Sequence, residues 1–269
     1  VRINKKQLLK NEVLKKMGEY YSDLYNNQLG LPHYQNKINE RLNEEKLRIA
    51  PLIERIQILF NIKFKKNMKV LIIGGGTGGE FAEFFSRGCN TYTIEPYDKA
   101  IEIIQLKADM IGAPAKNIHM GVAENLPFPD NYFDFIYCYT VIEHVQDVNK
   151  SFSEAIRVTK SGGKLFFLMP DYRQIYEGHY KAFLPLFLPK FISKFILILK
   201  GRPVKFFNSL YFVNAKMIRN ILRKHKVTAL QVYDPYLNDS RPRGFRRLER
   251  FIQDSLGIES IQTWLVIKH

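Results

Sequence analysis

The chain has 269 residues, of which 46% are hydrophobic, 13% aromatic and 25% charged. That length and balance exclude a disordered tail and a disulfide-stapled scaffold, and allow one large or two small domains around a sizeable core. The net charge of +15 points to an anionic partner or surface, and it is uneven: Lys181 to Arg250 holds 16 Lys or Arg against 3 acids, +13, while the remainder carries +2.

Residues 1 to 60 read as helical. Leu8, Leu9, Val13 and Leu14, then Leu47, Ile49, Leu52, Ile53, Ile56 and Leu59, recur at helical spacing, joined by a turn-rich stretch from Asn26 to Pro32. Val1 to Lys16 has no apolar run ending at a small-residue cleavage site, so no secretory signal is expected. The two cysteines, Cys89 and Cys138, have neither metal spacing nor a bridge framework and read as core thiols of a reducing compartment. From Met68 short apolar runs alternate with helical ones. Strands are expected at Lys69–Ile73, Thr91–Ile94, Asn117–Met120, Phe133–Tyr139 and Lys164–Met169, the last after a Ser161-Gly162-Gly163 turn. Helices are expected from Glu80, over Lys99–Met110 and over Val148–Val158. Such alternation requires right-handed crossovers and a parallel sheet, an α/β doubly wound fold. After Pro170 come an aromatic, basic stretch (Asp171 to Leu210), a helix near Ala215 to Lys224, and two late strands, Val227–Tyr233 and Gln262–Ile267, at one edge of the sheet.

The run Gly74-Gly75-Gly76-Thr77-Gly78-Gly79 lies between a buried strand and a helix, where positive φ and close ligand approach favour glycine. Glu95 ends the next strand, 21 residues after Gly74, where a carboxylate can accept from two ribose hydroxyls. Gly74, Gly76 and Gly79 also satisfy the dinucleotide fingerprint, so the loop alone leaves a nicotinamide enzyme open. The proton-relay pattern Tyr-x-x-x-Lys of one such class is absent from the chain.

The chain resembles the class I S-adenosylmethionine-dependent methyltransferases of the small-molecule, ubiquinone-methylase-like group. The residues that carry the resemblance are Gly74-x-Gly76-x-Gly78, Glu95-Pro96, Ala123-Glu124-Asn125-Leu126-Pro127-Phe128-Pro129-Asp130-Asn131-x-Phe133-Asp134, Ile142-Glu143-His144-Val145 and Ser161-Gly162-Gly163-Lys164. It implies a mostly parallel seven-stranded sheet, S-adenosyl-L-methionine as cofactor, and S-adenosyl-L-homocysteine as product. The glycine loop would take the methionine end, Glu95 the ribose, and Ala123 and Glu124 would bracket the adenine. Tyr139 and Thr140 would face the sulfonium. The family's acid for the adenine amino group is replaced by Val122, leaving backbone groups or Glu124 for that contact.

Methyl transfer from a sulfonium is an in-line displacement on an activated electrophile, so alignment and dryness matter most and no metal is expected. An oxygen or nitrogen acceptor benefits from a base, and His144 and His179 fall where the substrate cavity should be. The segment Pro170 to Tyr180 reaches over the C-terminal edge of the sheet, which favours His179 as base, with Glu177 or Asp171 orienting it. Tyr20 and Tyr21 would close the cofactor site, and Tyr21, Glu177 and Tyr180 are candidate substrate contacts.

Phe183 to Phe207 alternates apolar clusters with Lys190, Lys194, Lys200, Arg202 and Lys205. Pro185, Pro189 and the lysines interrupt it too often for a spanning helix, but it suits an interfacial helix at an anionic membrane, or a lid on the core. An acidic-x-His segment before a Pro-rich aromatic lid also resembles methyltransferases of glycan and lipid assembly. The expected organisation is a helical cap (1–66), a cofactor-binding core (67–170), an aromatic, basic lid (171–225) and final strands (226–269). The leading expectation is O-methylation of a small, glycosylated or lipid-linked metabolite by a cytoplasmic, membrane-peripheral enzyme. Alternatives are C-methylation of a prenylated quinone-type ring, a nucleic-acid methyltransferase using the basic annex, and a non-catalytic binding module. The nucleic-acid reading lacks both an Asn- or Asp-Pro-Pro-aromatic motif and a Pro-Cys nucleophile, so a nucleic-acid partner is not expected.

Overall fold

The structure is a computed structural model that describes residues 5–31, 34–232 and 261–269. Three N-terminal helices, α1 (Lys5–Ser22), α2 (Tyr34–Glu44) and α3 (Ala50–Phe60), precede the sheet. Its first five strands are β1 (Lys69–Ile73), β2 (Asn90–Glu95), β3 (Ile118–Met120), β4 (Phe133–Tyr139) and β5 (Thr159–Pro170), with α4 (Gly79–Ser86), α5 (Asp98–Ile111) and α6 (Val148–Val158) between them. A small hairpin of β6 (Tyr176–Glu177) and β7 (Ala182–Phe183) follows, then α7 (Lys190–Leu199), α8 (Lys205–Ser209) and α9 (Ala215–Leu222), and finally β8 (Val227–Val232) and β9 (Ile261–Lys268).

The seven-stranded sheet has the order β3-β2-β1-β4-β5-β9-β8. Strands β1 to β5 run parallel, and β9 is antiparallel to both β5 and β8. The expected doubly wound sheet is therefore present. Order reverses between β1 and β4, the crevice where open α/β sheets bind ligands. Alternation along the central strands divides the core. Leu71, Ile73, Ile136, Cys138, Leu165 and Phe167 face α6, α9 and the lid. Val70, Ile72, Phe135, Tyr137, Phe166 and Leu168 face α3, α4 and α5. Each such fully buried side chain contributes about 1.5–3 kcal/mol relative to exposure. Helices α6 and α9 begin where side chains satisfy their first amides: Asp147 accepts from Lys150 N at 3.0 Å and Asn214 from Met217 N at 3.0 Å.

Three local expectations change. Asp23–Gln28 continues α1 as π-helical turns, so the turn begins only at Leu29–Gly30, where Gly30 has φ +57 and the Arg202 guanidinium donates to the carbonyls of both residues. Ser161-Gly162-Gly163 is not a turn ahead of the strand but a bulge inside β5, with Gly162 at φ +75 and the register to β4 shifting between Phe133 and Phe135. The segment around His179 is the loop of the β6–β7 hairpin. Tyr233 and the basic residues Arg241 to Arg250 lie outside the described residues.

Candidate active site

At the end of β1 the chain turns through Gly74 (φ +77), Gly76 (φ +51) and Gly78 (φ +80) before α4. A Cβ at Gly74 would come within 2.2 Å of Val141, whereas one at Gly76 would meet nothing within 4 Å. The first glycine is thus required by packing, and the second leaves open space above the loop where a ligand can approach its backbone. Glu95, 4% exposed, accepts from Gly76 N at 2.9 Å and Tyr97 N at 3.2 Å, fixing the loop to the tip of β2. Burial raises its pKa, while the two amides pull it back. The open cradle and this oriented carboxylate fit S-adenosylmethionine. Helix α1 packs on α5 through Val13, Met17 and Ile103 and lays Tyr20 and Tyr21 beside the loop, with the Tyr21 hydroxyl 3.2 Å from Thr77 Oγ1. Burial, with the nearby Glu95 charge, raises the Tyr20 pKa.

The remaining cofactor-site expectations are placed as follows. Pro96 is exposed just beyond Glu95, and Ala123 is buried. Glu124 Oε1 accepts from Gln146 N and Asp147 N at 2.6 and 3.3 Å, bracing the segment that leads into α6. Val122 is 46% exposed. The Tyr139 ring stacks on Tyr137 and lies 4.4 Å from the Arg48 guanidinium, which also pairs with Glu80 at 2.9 Å, so it joins the N-terminal segment to the sheet. Thr140, at φ +52, turns the chain sharply after β4.

That turn delivers Glu143 and His144 to the same place as the hairpin residue His179. The rings of His144 and His179 are 5.2 Å apart, and Phe206 of α8 packs on both at 5.5 and 5.1 Å. Glu177, 2% exposed, shapes the hairpin loop: Oε2 accepts from Tyr180 N at 2.7 Å and Oε1 lies 2.8 Å from His179 Nδ1. Burial works to lower the His179 pKa, but the charge and hydrogen bond of Glu177, aided by Glu143, outweigh it and the net shift is upward. For His144 the surrounding protein, and then His179, push the pKa down. His144 as a residue is exposed all the same. Glu143 is fully buried and its carboxyl is raised to about 7 by burial, with Glu177 adding and His179 opposing.

Two expected site residues hold the segment after β5 in place instead. Asp171 accepts from the Arg173 guanidinium at 2.9 and 2.7 Å and from Ala215 N at 3.1 Å, tying the start of the lid to α9, so it is not the carboxylate that orients His179. Tyr180 is fully buried; its hydroxyl donates to Pro203 O at 2.7 Å and accepts from Phe207 N at 3.1 Å, so it anchors the lid rather than meeting a substrate. Sequence reasoning missed Glu143 and Phe206. Glu143 stood in the Ile142-Glu143-His144-Val145 segment without a role of its own, and Phe206 had no signal beyond being one aromatic among many.

Residues 71–167 match the model of the methyltransferase-domain family. The uncharacterized methyltransferase YcgJ of Bacillus subtilis is 33% identical over 104 residues, 39% of this chain and 40% of that protein. The ubiquinone/menaquinone biosynthesis C-methyltransferase UbiE of Geotalea daltonii is 31% identical over 134 residues, 46% of this chain and 57% of that protein. The crystal structure of a protein from Galdieria sulphuraria, named only provisionally as a sarcosine dimethylglycine methyltransferase, shares the fold, with a TM-score of 0.53 at 15% identity, covering 93% of this chain and 96% of that one. The chain spans only about half of the length of the curated relatives it matches. Over residues 71–167 the chain thus matches a methyltransferase domain.

Proposed function

We propose that the whole chain is an S-adenosylmethionine-dependent O-methyltransferase whose acceptor is a glycosylated or lipid-linked small molecule met at an anionic membrane surface. The observation that carries the oxygen acceptor is the buried Glu177 carboxylate 2.8 Å from His179 Nδ1. This pair fixes the ring and raises its affinity for a proton, which an amine acceptor can do without but a hydroxyl needs. The cofactor supplies an electrophilic sulfonium methyl. His179, with His144 beside it, takes the proton of the acceptor O–H as the new O–C bond forms and the S–C bond breaks, leaving a thioether. Phe206 packs against both rings and covers part of each.

The membrane surface is supported by α7. Phe191, Phe195, Ile198 and Leu199 are 69%, 59%, 53% and 71% exposed, Phe187 just before them is 58% exposed, and Ser193 and Leu197 face inward. No acid occurs between Glu177 and Asp234. Lys190 and Arg202 are not head-group contacts as expected, since they donate to the carbonyls of Asn208 and Leu210, and of Leu29 and Gly30. Lys200 and Lys205 remain exposed beside the apolar face. No helix among the described residues is long and apolar enough to cross a membrane.

A second reading, C-methylation of a prenylated quinone-type ring, is favoured by the C-methyltransferase among the relatives, and it too would use a base. Incubation with S-adenosylmethionine and fractionated lipids and glycolipids, with the product read by NMR, tests the choice. A new methoxy signal is expected; a new ring-carbon methyl would replace the first reading by the second.

A further inference from the structure

Methyl transfer needs no metal, and a base reading of the two histidines leaves the Glu143 carboxylate without a task. We propose that Glu143, His144 and His179 together hold a divalent transition-metal cation. This deepens, and rests on, the reading of this histidine cluster as the acceptor site.

One donor atom from each residue lies within 4.8 Å of the others. Two imidazole nitrogens and a carboxylate are a donor set for Zn²⁺, Mn²⁺ or Fe²⁺. Glu143 is fully buried, and neither of its oxygens is hydrogen-bonded to any other described residue. The Tyr172 hydroxyl is likewise buried and unpartnered. A buried carboxylate without partners is costly, and a cation supplies what the fold withholds. Behind His179, Glu177 Oε1 sits 2.8 Å from Nδ1 and leaves Nε2 as the donor. A carboxylate in that position fixes the tautomer and orientation of a metal-bound imidazole. The three ligands come from two elements, the turn after β4 and the β6–β7 hairpin, so the ion would also clasp the lid to the sheet. His144 is an exposed residue, so water or an acceptor oxygen could reach the ion. With the cation bound, the acceptor hydroxyl would be acidified by the metal and its proton released to water, so the base role of His179 belongs to the metal-free protein.

The test is calorimetric titration of EDTA-stripped protein with ZnCl₂ and with MnCl₂, backed by the visible absorption of the Co²⁺ form. One equivalent should bind saturably. Glu143→Gln and His144→Asn should each weaken binding at least about 10-fold, and Glu177→Gln by about 10- to 100-fold. Thermal melts show which variants are folded, and either the Glu143 or the His144 variant suffices. Absence of saturable binding by the wild-type chain, or wild-type affinity in both folded ligand variants, would overturn the proposal. The same stripped protein is titrated with S-adenosylhomocysteine. If that binds and the cations do not, the metal site alone falls; if it does not bind, the methyltransferase reading falls whatever the cations do.

Discussion

The hydroxyl of Tyr21 lies 3.2 Å from Thr77 Oγ1, joining the N-terminal helix to the glycine loop. Tyr21 also stacks on Tyr25 at 5.8 Å and meets Tyr20 edge-on at 5.3 Å, so an aromatic strip of α1 and its π-helical extension borders the cofactor cradle. Tyr21→Phe keeps the stack and removes only the hydroxyl. A neutral hydrogen bond contributes about 0.5–1.5 kcal/mol, so S-adenosylhomocysteine affinity should fall by roughly 2- to 12-fold in calorimetry. Unchanged affinity would confine α1 to packing.

Glu95→Ala removes the carboxylate expected to hold the ribose and the brace on Gly76. Hydrogen bonds to a charged group are worth about 1.5–3 kcal/mol, so cofactor affinity should drop by roughly 10- to 150-fold. The sign of the pH dependence follows from the raised pKa of Glu95. In the free protein its ionised form costs stability above that pKa, and the cost disappears on acidification below the ordinary carboxylate value. Cofactor affinity moves the other way, falling as pH drops through the raised pKa because the protonated group accepts less well. Affinity that is level across this range would remove Glu95 from the ribose.

The cofactor core was legible because its signals are local. Periodicity changes at Met68, glycines mark the loop where φ must be positive, and Glu95 follows at a fixed spacing on the next strand. The acceptor side was less so. Its hairpin strands, Tyr176–Glu177 and Ala182–Phe183, are two residues each, too short for any alternation to register. Glu143 looks like an ordinary turn acid until the lid returns, with Tyr211 N donating to its carbonyl at 2.7 Å, a contact far apart in sequence. The π-helical turns at Asp23–Gln28 have no compositional mark that separates them from a helix running out into a turn.

His179→Ala should lower turnover by about 10²- to 10⁴-fold with cofactor affinity unchanged, the range for loss of a positioned proton acceptor. Glu177→Gln keeps the shape of the hairpin loop but removes the charge behind Nδ1, and should lower kcat more than it alters KM. A wild-type rate for His179→Ala at saturating acceptor would take the histidine out of the reaction.

The exposed face of α7 makes a separable prediction. Flotation with vesicles rich in phosphatidylglycerol should carry the protein upward, and neutral phosphatidylcholine vesicles should carry much less. Phe191 and Phe195 are more than half exposed, whereas Ser193 and Leu197 are the buried residues of α7. Phe191→Glu with Phe195→Glu should therefore abolish flotation while leaving S-adenosylhomocysteine binding intact. Equal failure of the wild type with both vesicle types would reduce α7 to a lid.

Asp171 offers a test of how the lid is held. It is fully buried, while its partner Arg173 is about one-third exposed and Ala215 N is the first amide of α9. Asp171→Ala leaves that amide unpaired and the guanidinium only partly solvated. Breaking a fully buried pair costs about 3–5 kcal/mol, and solvent access to Arg173 reduces this to roughly 2–4 kcal/mol. At about 2–4 °C per kcal/mol for a domain of this size, Tm should fall by roughly 4–16 °C. Because the tether joins lid to α9 and not to the glycine loop, S-adenosylhomocysteine affinity in the folded variant should match the wild type. A variant that kept its Tm but lost turnover would return Asp171 to the acceptor site.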